Sequence, residues 1–135
     1  MRVKFSRERR VEADWNDNKK LPEDERLAFS YKPLEYGEFN ASVETIRRLG
    51  VINVEKKTIE VEDNDAAQAE LFDLFKSLLP KNVKSVGAPL LAAPGDDKPI
   101  SMEEIASQAP FVVLATELLA TLIAVSAPTE VEVKN

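Results

Sequence analysis

The stretch Pro110-Phe111-Val112-Val113-Leu114-Ala115-Thr116-Glu117-Leu118-Leu119-Ala120-Thr121-Leu122-Ile123-Ala124-Val125-Ser126 decides how this chain folds. Read as a helix, it is apolar on almost every face, and Glu117 carries its only charge. Pro110 suits a first-turn position, where a missing N–H costs nothing. Ala127-Pro128 supplies the stop, because proline cannot continue the helical ladder. A helix apolar all round must be covered on every side, by its own fold, by a partner or by lipid. Lipid is the poorest cover. A membrane span needs ~20 mostly apolar residues, whereas this run is shorter, contains a glutamate and leads into acidic residues rather than Lys or Arg. The first expectation is a central core helix of a small domain; the sharper alternative is that part of this helix packs against another chain, and both can hold together. Leu114, Leu118, Leu122 and Val125 share one stripe and are the candidate partner-binding residues. Val113, Glu117, Ala120 and Ala124 share another, and either stripe can face the domain's own sheet.

Immediately upstream, Ser101-Met102-Glu103-Glu104 reads as a capping box opening a short helix that breaks near Ala109-Pro110. Residues 87–99, punctuated by Gly87, Pro89, Pro94, Gly95 and Pro99, read mainly as a loop, with a short strand around Val83 and Val86 before it. Ala66, Ala69, Leu71, Phe72, Phe75, Leu78 and Leu79 form the apolar content of a helix. Glu62-Asp63-Asn64-Asp65 offers its cap, and Pro80 is expected to end it. Val51-Ile52-Asn53-Val54 and Thr58-Ile59-Glu60-Val61, on either side of Glu55-Lys56-Lys57, read as a hairpin. Tyr36, Phe39, Val43, Ile46 and Leu49 recur at helical steps, with Arg47 and Arg48 in the last turn and Gly50 as the C-terminal cap. Towards the N-terminus, Val3 and Phe5, then Val11, Ala13 and Trp15, then Leu27, Phe29 and Tyr31 alternate at the period of half-buried strands. Asn16-Asp17-Asn18-Lys19 reads as a turn between two of them.

The resulting fold class is α+β: a small antiparallel sheet of N-terminal strands plus a hairpin, packed with three to four helices. Residues 1–128 are expected to form a single domain, and residues 129–135 an acidic tail. No secretory signal is expected, since Met1-Arg2-Val3-Lys4-Phe5 runs straight into charge. The default is therefore a cytoplasmic protein.

The chain has 135 residues, no cysteine and no histidine. Disulfides, thiolate metal sites, histidine-based zinc sites and nucleophile systems built on histidine are thereby excluded. Acid–base chemistry would rest on carboxylates, lysine or tyrosine. Asp63-Asn64-Asp65 opens like a calcium loop, but Gln68 stands where that loop needs glycine and Leu74 where it needs glutamate. Neither a cofactor nor an enzymatic activity is expected. The net charge of -6 argues against nucleic acid as a partner. Charge is also uneven: residues 1–20 hold seven Lys or Arg against four acids, residues 86–135 two against seven.

Val3-Lys4-Phe5-Ser6 with Arg9-Arg10-Val11-Glu12-Ala13-Asp14-Trp15-Asn16, then Leu21-Pro22-Glu23-Asp24-Glu25-Arg26, resembles the opening of a group of small tailed-phage proteins. Lys32-Pro33-Leu34-Glu35-Tyr36-Gly37-Glu38-Phe39 is similar to a pattern of phage tail assembly chaperones. So is the passage from Asp97-Lys98-Pro99-Ile100-Ser101 into an apolar helix with an acidic end. The resemblance implies a non-enzymatic protein of the host cytoplasm that binds the long tape-measure protein and assists tail-tube assembly around it. Such chaperones are commonly made also in a longer, frameshifted form and are absent from the finished particle. It further implies self-association through residues 110–126. The alternative from the same resemblance is a structural virion subunit of a tail or neck.

Overall fold

The computed structural model describes residues 9–91 and 98–127. The expected strand at Val3–Phe5 and the acidic tail at 129–135 lie outside them. Among the described residues the chain is α+β, with four α-helices, five short strands and three 3-10 turns. Strands β1 (Arg9–Glu12), β2 (Ala28–Tyr31) and β5 (Val83–Ser85) form one antiparallel sheet in the order β1-β2-β5. Strands β3 (Gly50–Asn53) and β4 (Thr58–Val61) form a separate hairpin. Helices α1 (Tyr36–Leu49), α2 (Asp65–Asn82), α3 (Met102–Ser107) and α4 (Val112–Ser126) complete the fold.

Helix α4 is the centre. Leu114, Ala115, Leu118, Leu119, Ala120 and Leu122 are fully buried, and α1, α2, α3, β4 and the turn at Trp15–Lys20 pack around it. The segment Ala109–Ser126 has a mean hydropathy of 1.9 and meets the length and composition of a membrane span. In this fold half of that segment is buried inside the protein. Phe29, Tyr31, Ile46, Phe75 and Leu79 supply the largest fully buried side chains that meet it. Its last turn is tied back to the chain before α1, where Ser126 Oγ accepts the Leu34 N–H at 2.8 Å.

Strand β2 is buried at all four residues rather than alternately. It is the middle strand, paired with β1 from Arg9·Tyr31 to Glu12·Ala28 and with β5 from Phe29·Ser85 to Tyr31·Val83. The hairpin does not join this sheet; β5 takes the third place.

Local signals explain the helix boundaries. Asn64 caps α2, its side chain accepting the Ala67 N–H at 2.8 Å. The capping box at α3 is complete: Glu104 N–H donates to Ser101 Oγ at 3.1 Å, and Ser101 N–H to Glu104 Oε1 at 3.3 Å. A 3-10 turn at Ala109–Phe111 carries Pro110 into α4.

One expectation is corrected. Pro80 does not end α2, which continues to Asn82. Proline's fixed φ suits a helix, and its cost is one missing hydrogen bond, here to the carbonyl of exposed Lys76. Burial of Leu78, Leu79 and Asn82 in the same turn outweighs that loss, and the Asn82 side chain donates to the Leu78 carbonyl at 2.9 Å. Gly50 caps α1 as expected, its N–H donating to the Ile46 carbonyl, with extended backbone (φ 176°). It opens β3 directly. Its glycine identity answers a close approach, because a Cβ there would fall on the Glu60 carbonyl of the paired strand.

Gly37, in the first turn of α1, and Gly50, just past its end, should therefore respond oppositely. Gly50→Ala is expected to lower unfolding stability by about 1–3 kcal/mol through overpacking. Gly37→Ala, where an added Cβ meets nothing within 4 Å, should raise it by up to about 1 kcal/mol through helix propensity. Urea unfolding midpoints of the two variants check both signs.

Candidate functional site

Helix α4 does not keep all its apolar side chains inside. Of the candidate partner-binding residues, Leu114, Leu118 and Leu122 are core, with no exposed surface, and Val125 is half-buried at the helix end. The first three thus offer nothing to a partner in this conformation. Val113 and Ala124, both from the other stripe, are the exposed members of α4, and Val113 is the large one, at 66% exposure. The reason is positional: Val113 lies in the first turn, at the rim of the core, whereas the leucines sit inside it.

Val113 lies beside the hairpin. With Val112 and Thr116 it faces Lys57, Thr58, Ile59 and Glu60, leaving a mainly apolar groove of about 250 Å³ between the first turn of α4 and β4. Among the described residues β4 pairs only with β3, so its other edge borders this groove. Alternation along the hairpin sends Ile52 and Ile59 inward as a cross-strand pair and Val51 outward opposite Glu60. Val51 is consequently 68% exposed, and Val54 in the turn is also exposed.

A polar staple holds one end of the groove. Asp14 pairs with Lys19 at 2.7 Å and with Lys57 at 2.9 Å. Lys57 occupies a left-handed position (φ 57°) in the hairpin turn. Buried Glu117 accepts the Asp14 N–H at 2.9 Å through Oε2. The N-terminal loop is thereby fastened both to the hairpin and to the central helix. Asn16 and Asp17 also take left-handed backbone, which their short polar side chains tolerate. Buried Asn18 closes the loop: its Nδ2 donates to the Ala13 and Leu27 carbonyls, each at 2.8 Å, and its Oδ1 accepts the Leu27 N–H at 2.7 Å.

The electrostatics follow from this geometry. Hydrogen bonds from Lys19 and Lys57 hold the Asp14 carboxyl below its ordinary range. Burial pushes the Glu117 carboxyl up, opposed by the Asp14 amide and the nearby Lys57 charge. These charged groups are occupied with one another and with backbone amides. Among the described residues no group of three or more His, Cys, Asp or Glu is placed to hold a metal ion. The sequence shows Glu117 as the one charge of its helix; its partner, a backbone amide 103 residues away, carries no sequence signature.

The shifts fix the pH dependence. Glu117, raised when folded, contributes stability below the ordinary value of 4.5 that is lost as pH rises through its folded pKa. Asp14, lowered when folded, contributes stability above 3.8 that is lost as pH falls through its folded pKa. Glu117→Gln keeps an oxygen for the Asp14 amide and removes the buried charge. Urea unfolding between pH 5 and 7.5 should show a flatter stability profile for this variant. Glu117→Ala leaves the amide unpaired and should cost about 1–3 kcal/mol.

Compared with known proteins, the chain matches no family model, no curated protein and no solved structure.

Proposed function

We propose that this protein is a non-enzymatic tail assembly chaperone, which binds the tape-measure protein and keeps it soluble while the tail tube assembles. The observation that supports this reading is the rim of α4. Val113 stands exposed above an apolar groove on the helix that otherwise forms the core. A chaperone for a long helical protein needs apolar surface to cover its client's, and enough charge to remain dispersed. The groove and the net charge of -6 supply those two properties. The resemblance carried by Arg9–Asn16 and Lys32–Phe39 points the same way.

Co-expression with the tape-measure protein encoded alongside tests the reading. Wild type should move the tape-measure protein into the soluble fraction and co-purify with it. Val113→Glu should lose that capture while keeping its own stability within about 0.5 kcal/mol, as exposed positions do. Leu122→Asp should instead unfold the protein, since it places a charge in the core. A tape-measure protein equally insoluble with and without the wild-type chain would overturn the proposal. Mass spectrometry of purified particles supplies the second arm: a fixed copy number there would make the protein a structural subunit.

A further inference from the structure

The edge of β5 lies between two clefts of opposite character. We infer that it accepts an extended partner segment that alternates acidic and apolar residues, added as a fourth strand to the β1-β2-β5 sheet. This inference is independent of the tail-assembly reading and concerns a different surface.

The backbone makes the first argument. Lys32 N–H donates to the Asn82 carbonyl at 2.8 Å, and Val86 N–H to the Ala28 carbonyl at 2.9 Å. In an antiparallel ladder every second pair is hydrogen-bonded, so Ser30·Lys84 between them is the next such pair. The peptide groups of Lys84 thus face β2, and those of Val83 and Ser85 face away. Val83 N–H is used by the Leu79 carbonyl at the end of α2. The Val83 carbonyl and the Ser85 N–H and carbonyl remain directed at the open edge. Among the described residues no strand pairs with that edge.

Side chains make the second argument. On the outer face, register aligns Arg10, Ser30 and Lys84 in one row across the sheet, with Lys32 two residues along. Arg10, Lys32 and Lys84 are exposed. Lys32 and Lys84, with Lys81, wall a cleft of about 520 Å³ against the β5 edge; Lys81 also pairs with Glu38 at 3.0 Å. On the inner face the same edge borders a cleft of about 280 Å³ lined by Leu90, Ile100, Met102 and Ile105. The two clefts share Ser85 and Met102. Successive side chains of an added strand point to opposite faces. One set meets lysines, the other an apolar cleft.

Charge also selects the occupant. Lysines on an edge strand discourage pairing with a second copy, which would bring the same charges to the same place. An acidic strand gains from them instead, and backbone pairing supplies affinity in this mode of recognition while the flanking clefts supply specificity.

Fluorescence anisotropy with a labelled peptide of four Glu-Val repeats tests the inference on the full chain. Saturable binding that weakens with salt is expected. Lys32→Glu combined with Lys84→Glu should weaken it by roughly tenfold or more, and Lys32→Gln with Lys84→Gln by less. A Lys-Val peptide should not bind, and a Glu-Ser peptide should bind more weakly than Glu-Val. In the wild type, the peptide should slow hydrogen exchange of the Ser85 amide. Absence of saturable binding, indifference to the double charge reversal, or an unprotected Ser85 amide would overturn the inference. So would a dimer whose Ser85 amide is protected without peptide, because a second copy would then hold the edge.

Discussion

A helix without a polar face has to be wrapped, and most of this structure is the wrapping of α4. The apolar surface from Leu114 to Ile123 removes the freedom to lay the helix along the outside of a sheet, as an amphipathic helix would lie. Helices α2 and α3, the hairpin and the N-terminal turn therefore approach it from several sides. Enclosure creates its own difficulty at Glu117, whose carboxylate loses water. Desolvation of a charge costs far more than desolvation of an amide unless a partner replaces the solvent. The Asp14 amide is that partner, and Asp14 is in turn neutralised by Lys19 and Lys57. The one charge of the central helix thus dictates where the N-terminal loop lies.

Much of this architecture was legible in the residues. Helix α1, the hairpin, the Asn64 cap and the Ser101–Glu104 capping box are local features, set by side-chain period and by residues three positions apart. What was not legible depends on distant pairing. Strand β2 alternates in sequence as if half-buried, yet all of it is enclosed because β5, more than fifty residues later, closes its second edge. Pro80 reads as a stop because its local cost is visible, while the burial that offsets it is not. Asn18 reads as a turn residue, and its bonds to Ala13 and Leu27 exist only once the loop has closed.

The candidate interaction residues illustrate the same boundary. Leu114, Leu118 and Leu122 are apolar and share a stripe, and these properties are also what a core selects. Val113 is no more apolar than they are, and its exposure follows from where the first turn of α4 emerges relative to the hairpin. Periodicity identifies which residues share a side of a helix. The side left uncovered is decided by the lengths and positions of the neighbouring elements, which the helix's own sequence does not encode.

This separation bears on how the molecule can bind without aggregating. Among the described residues two sheet edges, at β4 and β5, border clefts, and each is a template for unwanted pairing. Glu60 and Lys57 stand beside the first, Lys32, Lys81 and Lys84 beside the second. At β4 the charges are of both signs and Lys57 is already bound to Asp14, so the apolar wall of Val112 and Val113 dominates recognition there. At β5 three lysines stand beside the one acid Glu38, which pairs with Lys81, and this basic excess disfavours a second copy and favours an acidic strand. The same lysines therefore serve solubility when the edge is empty and selection when it is filled. Neither task draws on the leucines of α4, which leaves the core free to be optimised for packing alone.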